Sequence, residues 1–116
     1  MMEQLNGETS LYPIIGDPII YVESPQRLTE AFVQKGHNGI CIPMQVADGK
    51  LDSVVLGLQD VRNVLGLLVT MPHKNAMFSR CATSSEVSKL LGVVSVARRN
   101  PDGTWHGDML DGVAFV

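Results

Sequence analysis

GLLVTMPHK, residues Gly66 to Lys74, joins an apolar run to a proline, a histidine and a lysine. A short apolar run bounded by a glycine and a proline is typical of a buried β-strand, so we predict a strand over residues 66–71. Pro72 has no backbone N–H to donate, and it therefore ends the pairing of that strand. Lys74 is expected just beyond the end of the buried strand.

Two further strands are predicted on the N-terminal side of this stretch. Leu11 to Gly16 is a short apolar run with β-branched residues that ends at a glycine. Gly39 to Val46 is a second apolar run, and Pro43 within it favours an edge strand or a strand with a bulge. These three runs are the predicted centre of a sheet.

Two amphipathic helices are predicted between these strands. Ser24 and Pro25 form a helix start, with Ser24 as the cap and Pro25 at the first helical position, and Gly36 ends that helix. Apolar residues at helical spacing predict a second helix from Leu51 to about Asn63. Two short strand–helix–strand crossings favour parallel pairing, with the helices on the faces of the sheet.

The C-terminal part of the chain has a different pattern. Thr83 with Glu86 is a capping-box pattern, which predicts a short helix that Gly92 ends. Residues 93–110 contain two extended runs separated by the turn residues 100–103, and this pattern indicates a hairpin with at least one antiparallel strand. The predicted fold is therefore α/β: a three-layer sandwich with a mostly parallel mixed sheet flanked by helices, plus a C-terminal hairpin.

The composition is that of a single folded domain over residues 1–116. Of these 116 residues 45% are apolar and 18% charged, and the net charge is −3 with the basic residues scattered along the chain. This pattern offers no basic patch to a nucleic acid or an anionic membrane, and no apolar run approaches the roughly 20 residues that span a bilayer. The N-terminus has no secretory signal pattern, so we expect a cytoplasmic protein.

The cysteines and histidines show no metal-site pattern. Cys41 and Cys81 belong to no CxxC motif, and His37, His73 and His106 share no ligand spacing. We expect two ordinary reduced thiols and no bound metal.

Lys74 is the first candidate for chemistry, because ligands in open α/β sheets bind beyond the carboxyl ends of the parallel strands. We place Lys74 in the first turn of a helix. There the positive end of the helix dipole favours the neutral amine, and hence a role in proton transfer. The alternative is a solvated surface lysine.

Asp111 is the second candidate. It ends the last extended run and reaches the same edge of the sheet if the hairpin packs beside the strand that leads to Lys74. Its carboxylate would then hold and orient the ammonium group. The alternative interpretation is that Asp111 caps a following helix.

Four stretches of the chain resemble, in this order and at this spacing, the N-terminal substrate-binding domain of the shikimate dehydrogenase family. They are GDPIIYVESP (16–25), GLLVTMPHK (66–74), LLGVVSV (90–96) and GDMLDG (107–112). The most specific part is VTMPHK, which resembles the family's Val-Thr-x-Pro-x-Lys signature.

This resemblance implies an enzyme that interconverts shikimate, or a related cyclic hydroxy acid, and the corresponding ketone with NADP(H) or NAD(H). It also implies an NAD(P)-binding Rossmann domain after residue 116, since residues 1–116 contain no GxGxxG motif and bind no cofactor by themselves. The expected partner is the small-molecule acid, and the oligomeric state is left open.

The resemblance further implies roles for individual residues. Lys74 matches the family's catalytic lysine, and Asp111 matches its partner aspartate. Ser24 matches one of two serines that hold the substrate carboxylate, and Thr70 matches a threonine that contacts a ring hydroxyl. Other substrate-binding positions differ from the family pattern, with Val22 in place of the second serine, Leu68 and Ser95 in place of asparagines, and Leu110 in place of a threonine.

These differences predict a change of substrate. Each buried polar group that loses its partner costs about 1 to 3 kcal/mol, so several such losses weaken the binding of shikimate. We expect a more apolar substrate shell around the same proton relay, and a different or broader substrate. The alternative is a binding module of the same fold that holds a small molecule without turnover, and a Rossmann segment encoded downstream would favour the enzyme.

Overall fold

Six strands in one mixed sheet organise the structure, a computed structural model that describes residues 5–110. The strand order is β2-β1-β3-β5-β6-β4, in which β1 is parallel to β2 and β3, β4 is parallel to β6, and β5 is antiparallel to β3 and β6. The predicted α/β fold with a mixed sheet and a C-terminal hairpin is confirmed. The elements are β1 (Ser10–Gly16), α1 (Ser24–Gln34), β2 (Gly39–Gln45), α2 (Leu51–Gln59), β3 (Gly66–Val69), α3 (Lys74–Arg80), β4 (Thr83–Ser84), α4 (Glu86–Leu91), β5 (Val96–Arg99) and β6 (Trp105–Asp108).

The helices pack on both faces of the sheet, because successive residues of a strand point to opposite sides. Ile15 lies in the main core with the apolar residues of α2 and α3. Its neighbour Ile14 lies in a smaller cluster on the other face, against which Leu28 of α1 packs. These two apolar clusters give the predicted three layers. β2, which contains Pro43, is an edge strand, as its proline predicted.

The start of α1 corrects the predicted cap. Ser24 is the first residue of the helix, Glu23 occupies the cap position, and no side chain makes a capping hydrogen bond. The prediction that Ser24 caps this helix is therefore wrong, because its backbone already belongs to the first turn. Its hydroxyl therefore makes no capping hydrogen bond and is available to bind a ligand.

The cap of α4 differs in a similar way. Ser85 is the capping residue, and its Oγ accepts a hydrogen bond from the backbone N–H of Ser88 at 3.2 Å. Thr83, the predicted cap, pairs in β4 with β6, and its hydroxyl lies 2.7 Å from Nδ1 of His106. Pairing with β6 thus moves the helix start by two residues. Gly92 ends the helix at a φ of +68°, as predicted.

The second helix is shorter than predicted. α2 ends at Gln59 rather than near Asn63. Its last carbonyl groups accept hydrogen bonds from Arg99 of β5, which donates from Nη2 to Leu58 and from Nη1 to Gln59, both at 3.0 Å. A side chain that is remote in the sequence therefore caps the C-terminus of α2.

Arg99 connects three parts of the fold. Its guanidinium lies 4.4 Å from the centre of the buried Trp105 ring, in the geometry of a cation–π contact. It donates hydrogen bonds of 2.7 to 3.0 Å to five backbone carbonyl oxygens, those of Leu58, Gln59, Val61, Val64 and Gly103. The side chain thus joins the end of α2, the segment that leads into β3, and the turn of the hairpin.

Both cysteines are free thiols in the structure. Burial raises the pKa of Cys41 and of Cys81 to about 11, so both thiols are protonated near neutral pH. Between residues 5 and 110, no helix has the length and the apolar character needed to cross a membrane.

Candidate functional site

A cavity of about 200 Å³ lies where β1 and β3 end at the carboxyl edge of the sheet. Six of the residues predicted from the sequence line it together, although they come from three separate stretches of the chain. Its walls are formed by Ile14, Val22, Ser24, Leu68, Val69, Thr70, Lys74 and Ser95.

The turn between β3 and α3 places Lys74 in this cavity. The N–H of Thr70 donates to the carbonyl oxygen of Ile15 at 2.9 Å, and the carbonyl oxygen of Thr70 accepts from the N–H of His73 at 3.0 Å. The chain therefore leaves the sheet at Thr70, earlier than the predicted strand end at Met71, and α3 begins at Lys74. The predicted position of Lys74 in a first helical turn is confirmed.

Gly16 allows the end of β1 to approach this turn closely. The N–H of Asp17 donates to the carbonyl oxygen of Met71 at 3.1 Å. A Cβ placed on Gly16 would overlap the methyl group of Thr70 and lie 3.3 Å from the carbonyl oxygen of Met71. The position of Thr70 in the cavity wall thus depends on a residue without a side chain.

Ser95 also lines the cavity and is only 3% exposed. Its backbone joins β3 to the hairpin, since its carbonyl oxygen accepts from Val69 at 2.8 Å and its N–H donates to Asp108 at 2.9 Å. Its Oγ accepts the N–H of Leu110 at 2.9 Å. Ser95 therefore holds the end of the described chain beside the cavity.

Leu110 does not itself line the cavity. It lies in a separate cavity of about 210 Å³ over one face of the hairpin, with Arg98, His106 and Asp108. Asp111 lies outside the described residues, so its pairing with Lys74 stays a prediction.

Asp108 holds the segment before Leu110 and was missed by the sequence reasoning. Its Oδ1 accepts the hydroxyl of Ser85 at 2.6 Å and the N–H of Met109 at 2.7 Å. The bond from Ser85, followed by that from Met109, lowers the pKa of Asp108, and the nearby His106 and Arg98 act in the same direction. A carboxylate that stays ionised thus fixes the chain two residues before its last described position.

A larger and more open groove of about 740 Å³ lies on the other side of Val22. Two of the charged residues in that groove, Glu23 and Arg27, pair with each other at 2.7 Å. Among the predicted site residues, Val22 alone lines this groove, and the groove contains neither the lysine nor the hydroxyl groups. The smaller cavity is therefore the candidate functional site. In residues 5–110 no group of three or more histidine, cysteine or carboxylate side chains is placed to hold a metal ion.

The lining of the cavity is partly polar and partly apolar. An ammonium group and three hydroxyls, from Lys74, Thr70, Ser24 and Ser95, are the polar groups that it offers. The remaining lining is apolar and comes from Ile14, Val22, Leu68 and Val69. Such a cavity suits a small molecule that has several oxygen atoms and some apolar surface.

Comparison with known proteins identifies the family. Residues 14–96 match the family model described as the shikimate dehydrogenase substrate binding domain. The chain belongs to this family. It is 32% identical over 110 residues to a shikimate dehydrogenase (NADP(+)) of Anaeromyxobacter sp. (strain K), covering 95% of this chain and 39% of that protein. It is also 32% identical over 115 residues to the enzyme of the same name from Microcystis aeruginosa, covering 99% of this chain and 40% of that protein.

A solved shikimate dehydrogenase has the same fold. The shikimate 5-dehydrogenase of Listeria monocytogenes, determined in complex with shikimate and NAD, is 30% identical and superposes with a TM-score of 0.89 over 99% of this chain and 39% of that one. The chain thus spans about 40% of the length of the shikimate dehydrogenases it matches.

The membership in this family agrees with the grouping of residues in the cavity. Residues of the family signature, Thr70 and Lys74, lie beside Ser24. Val22 and Leu68, at positions where the sequence resemblance implies a serine and an asparagine, form much of the apolar wall. Two of the departures from the family pattern, Val22 and Leu68, therefore belong to one apolar cluster at the cavity.

Proposed function

We propose that this chain is the substrate-binding part of an NADP- or NAD-dependent dehydrogenase of the shikimate dehydrogenase type. The enzyme interconverts the ring alcohol of a cyclic hydroxy acid, shikimate or a relative, and the corresponding ketone. The nicotinamide cofactor accepts or supplies the hydride, and it is held by a Rossmann domain that we place after residue 116. We place the enzyme in the cytoplasm.

The residues of the cavity have separate roles in this proposal. As a hydride leaves the carbinol carbon, the hydroxyl proton passes to Lys74, and in the reverse direction Lys74 returns it to the oxygen of the ketone. Asp111 orients the amine and shares the proton. Ser24 and Thr70 bind polar groups of the substrate, and Ser95 contributes a further, buried hydroxyl to the cavity.

One observation carries the proposal: the cavity beyond the ends of β1 and β3 brings Lys74 together with the hydroxyls of Ser24, Thr70 and Ser95. A lysine whose only role is to be solvated at the surface would not be expected to share a cavity with three hydroxyl groups. The same geometry also suits a module that binds a small molecule without turnover. The apolar wall favours this alternative if it prevents the binding of shikimate.

The proposed activity is tested with the complete gene product. Shikimate, quinate and less hydroxylated cyclohexene or cyclohexane carboxylic acids with one ring alcohol are each offered with NADP⁺ and with NAD⁺, and formation of the reduced cofactor is measured. We expect oxidation of at least one acid, with shikimate a poor substrate. Binding of an acid without any reduction of cofactor would support the binding module instead.

Val22 offers a direct test of the apolar wall. Changing Val22 to Ser restores a hydroxyl where the resemblance implies a contact with the substrate carboxylate. One hydrogen bond to a charged group is worth about 1.5 kcal/mol or more, so we expect the dissociation constant for shikimate to fall about tenfold. The measurement is isothermal titration of shikimate into the complete gene product and into its Val22→Ser variant.

Val87→Ser is the matched control for this substitution. Val87 lies on α4, is half exposed and does not line the cavity, so its replacement should leave the affinity for shikimate unchanged. An unchanged affinity in Val22→Ser would contradict the placement of Val22 beside the carboxylate. Tight binding of shikimate by the unaltered protein would contradict the proposed change of substrate.

A further inference from the structure

His73 is a buried polar side chain that the proposed reaction does not use. It is 1% exposed and stands immediately before Lys74, at the cap position of α3. Its Nε2 lies 2.6 Å from the carbonyl oxygen of Val46. A carbonyl oxygen only accepts hydrogen bonds, so Nε2 carries a proton and donates it.

The bond from His73 ties the lysine-bearing turn to the end of a different strand. Val46 directly follows β2, and its own N–H donates to the carbonyl oxygen of Gly16 at the end of β1, at 3.0 Å. Met71 in the turn after β3 accepts the N–H of Asp17 at 3.1 Å. The loops that follow three neighbouring strands are thereby linked, and His73 supplies the side chain that joins the third to the second.

The backbone on either side of His73 is also fixed. Its N–H donates to Thr70 at 3.0 Å and its carbonyl oxygen accepts from Met77 at 2.9 Å. The carbonyl oxygen of Lys74 accepts the N–H of Val94 at 3.0 Å, which ties the first residue of α3 to the segment that leads to Ser95. The position of the lysine backbone is therefore set by bonds to strand ends and loops around it.

We propose that His73 is a positioning residue for the reaction, which holds Lys74 at the cavity through its bond to the Val46 carbonyl. This inference rests on the proposed function, because His73 can position Lys74 for the reaction only if Lys74 transfers a proton. Proton transfer needs the amine within hydrogen-bond reach of the substrate oxygen, and a displacement of about 1 Å costs up to about 100-fold in rate. His73 acts on that distance without touching the substrate.

Two amide side chains separate this role from a general contribution to folding. The amide nitrogen of glutamine occupies the place of Nε2 of histidine, and so reaches the Val46 carbonyl. The amide nitrogen of asparagine occupies the place of Nδ1 and falls short of it. His73→Gln therefore keeps the donor, and His73→Asn removes it while staying polar and leaves a buried carbonyl group without its partner.

The experiment measures kcat and KM for the acid that the complete gene product oxidises fastest, at a temperature where circular dichroism shows each variant folded. We expect kcat of His73→Asn to fall about 10- to 100-fold with KM changed by less than about threefold, and His73→Gln to recover most of that loss. Val55→Ala is the control for stability, since it removes buried apolar contacts in α2 and leaves the bond between His73 and Val46 in place. It should retain kcat even when its melting temperature falls as far as that of His73→Asn.

Three results would overturn the inference: an unaltered kcat in His73→Asn, equal losses in the two amide variants, or an equal loss in Val55→Ala. If His73→Asn does not fold, a full kcat in His73→Gln together with a reduced kcat in Val55→Ala would also count against it. A lysine variant at position 74 separates the two proposals. Loss of turnover in Lys74→Met with full turnover in His73→Asn refutes the positioning role alone, whereas full turnover in Lys74→Met, or none in the unaltered protein, removes both.

Discussion

Replacing Lys74 by Met lowers kcat of the complete gene product by about 100- to 10,000-fold, because a positioned proton-transfer group contributes this much to a rate. Met keeps most of the length of the side chain and favours the helix, so α3 should still begin at residue 74. The fold should therefore survive, with an unchanged circular dichroism spectrum and a melting temperature close to that of the unaltered protein. Steady-state oxidation of the preferred acid and thermal unfolding are the two measurements.

Lys35→Met is the matched control for this substitution. Lys35 lies at the end of α1, is exposed, and does not line the cavity, so its replacement removes one positive charge without touching the site. We expect full turnover in Lys35→Met. Equal activities of the two variants would show that Lys74 has no role in proton transfer and would favour the binding module. A large rise in KM at constant kcat in Lys74→Met would assign the lysine to substrate binding alone.

Replacing Arg99 by Ala destabilises the protein by on the order of 3 to 5 kcal/mol, because it leaves several backbone carbonyls without their donor and removes a cation from the face of Trp105. This is a large part of the 5 to 15 kcal/mol that typically stabilises a domain. Urea unfolding followed by tryptophan fluorescence measures the loss, since Trp105 is the chain's sole tryptophan and lies against the arginine.

Two further substitutions serve as controls for Arg99→Ala. Arg98 is the adjacent residue of β5 and is exposed, so Arg98→Ala should change the free energy of unfolding by less than about 0.5 kcal/mol. Arg99→Lys should recover little of the loss, because an ammonium group is a point charge that cannot donate to carbonyl groups spread around a planar fork. A lysine variant as stable as the unaltered protein would mean that charge, and not the geometry of the guanidinium, stabilises this region.

The parts of the fold that sequence reasoning found are those with a local cause. The buried strand that ends near Pro72, the edge strand with Pro43, and the helix stop at Gly92 each depend on the residue itself and its immediate neighbours. The site is partly of this kind. Once the parallel strands are recognised, the residues that follow them must meet at one edge of the sheet, and Ser24, Thr70 and Lys74 do so.

The parts that it missed have distant causes. Arg99 ends α2 from about 40 positions further along the chain, and His73 bonds to a carbonyl 27 positions earlier. Thr83 and Ser85 are both good caps in isolation, and pairing of Thr83 with β6 decides between them. The residues near these positions in the sequence do not indicate which distant residue each side chain will contact. The sequence showed only that His73 has no metal-ligand spacing. Its burial, which would have suggested a structural role, is known only from the fold.

Gly16 has a consequence for genetic studies of this protein. It offers no chemical group to a ligand, yet any larger residue there would push Thr70 and Met71 away from the strand end and shift the turn that carries Lys74. A screen that scores growth or turnover would consequently rank this position with the residues that do the chemistry. Measuring the abundance of each variant in parallel would not reveal the difference if the displaced turn leaves the rest of the molecule folded. Inactive variants at residue 16 would then indicate a requirement for close approach of the backbone, and not the loss of a functional group.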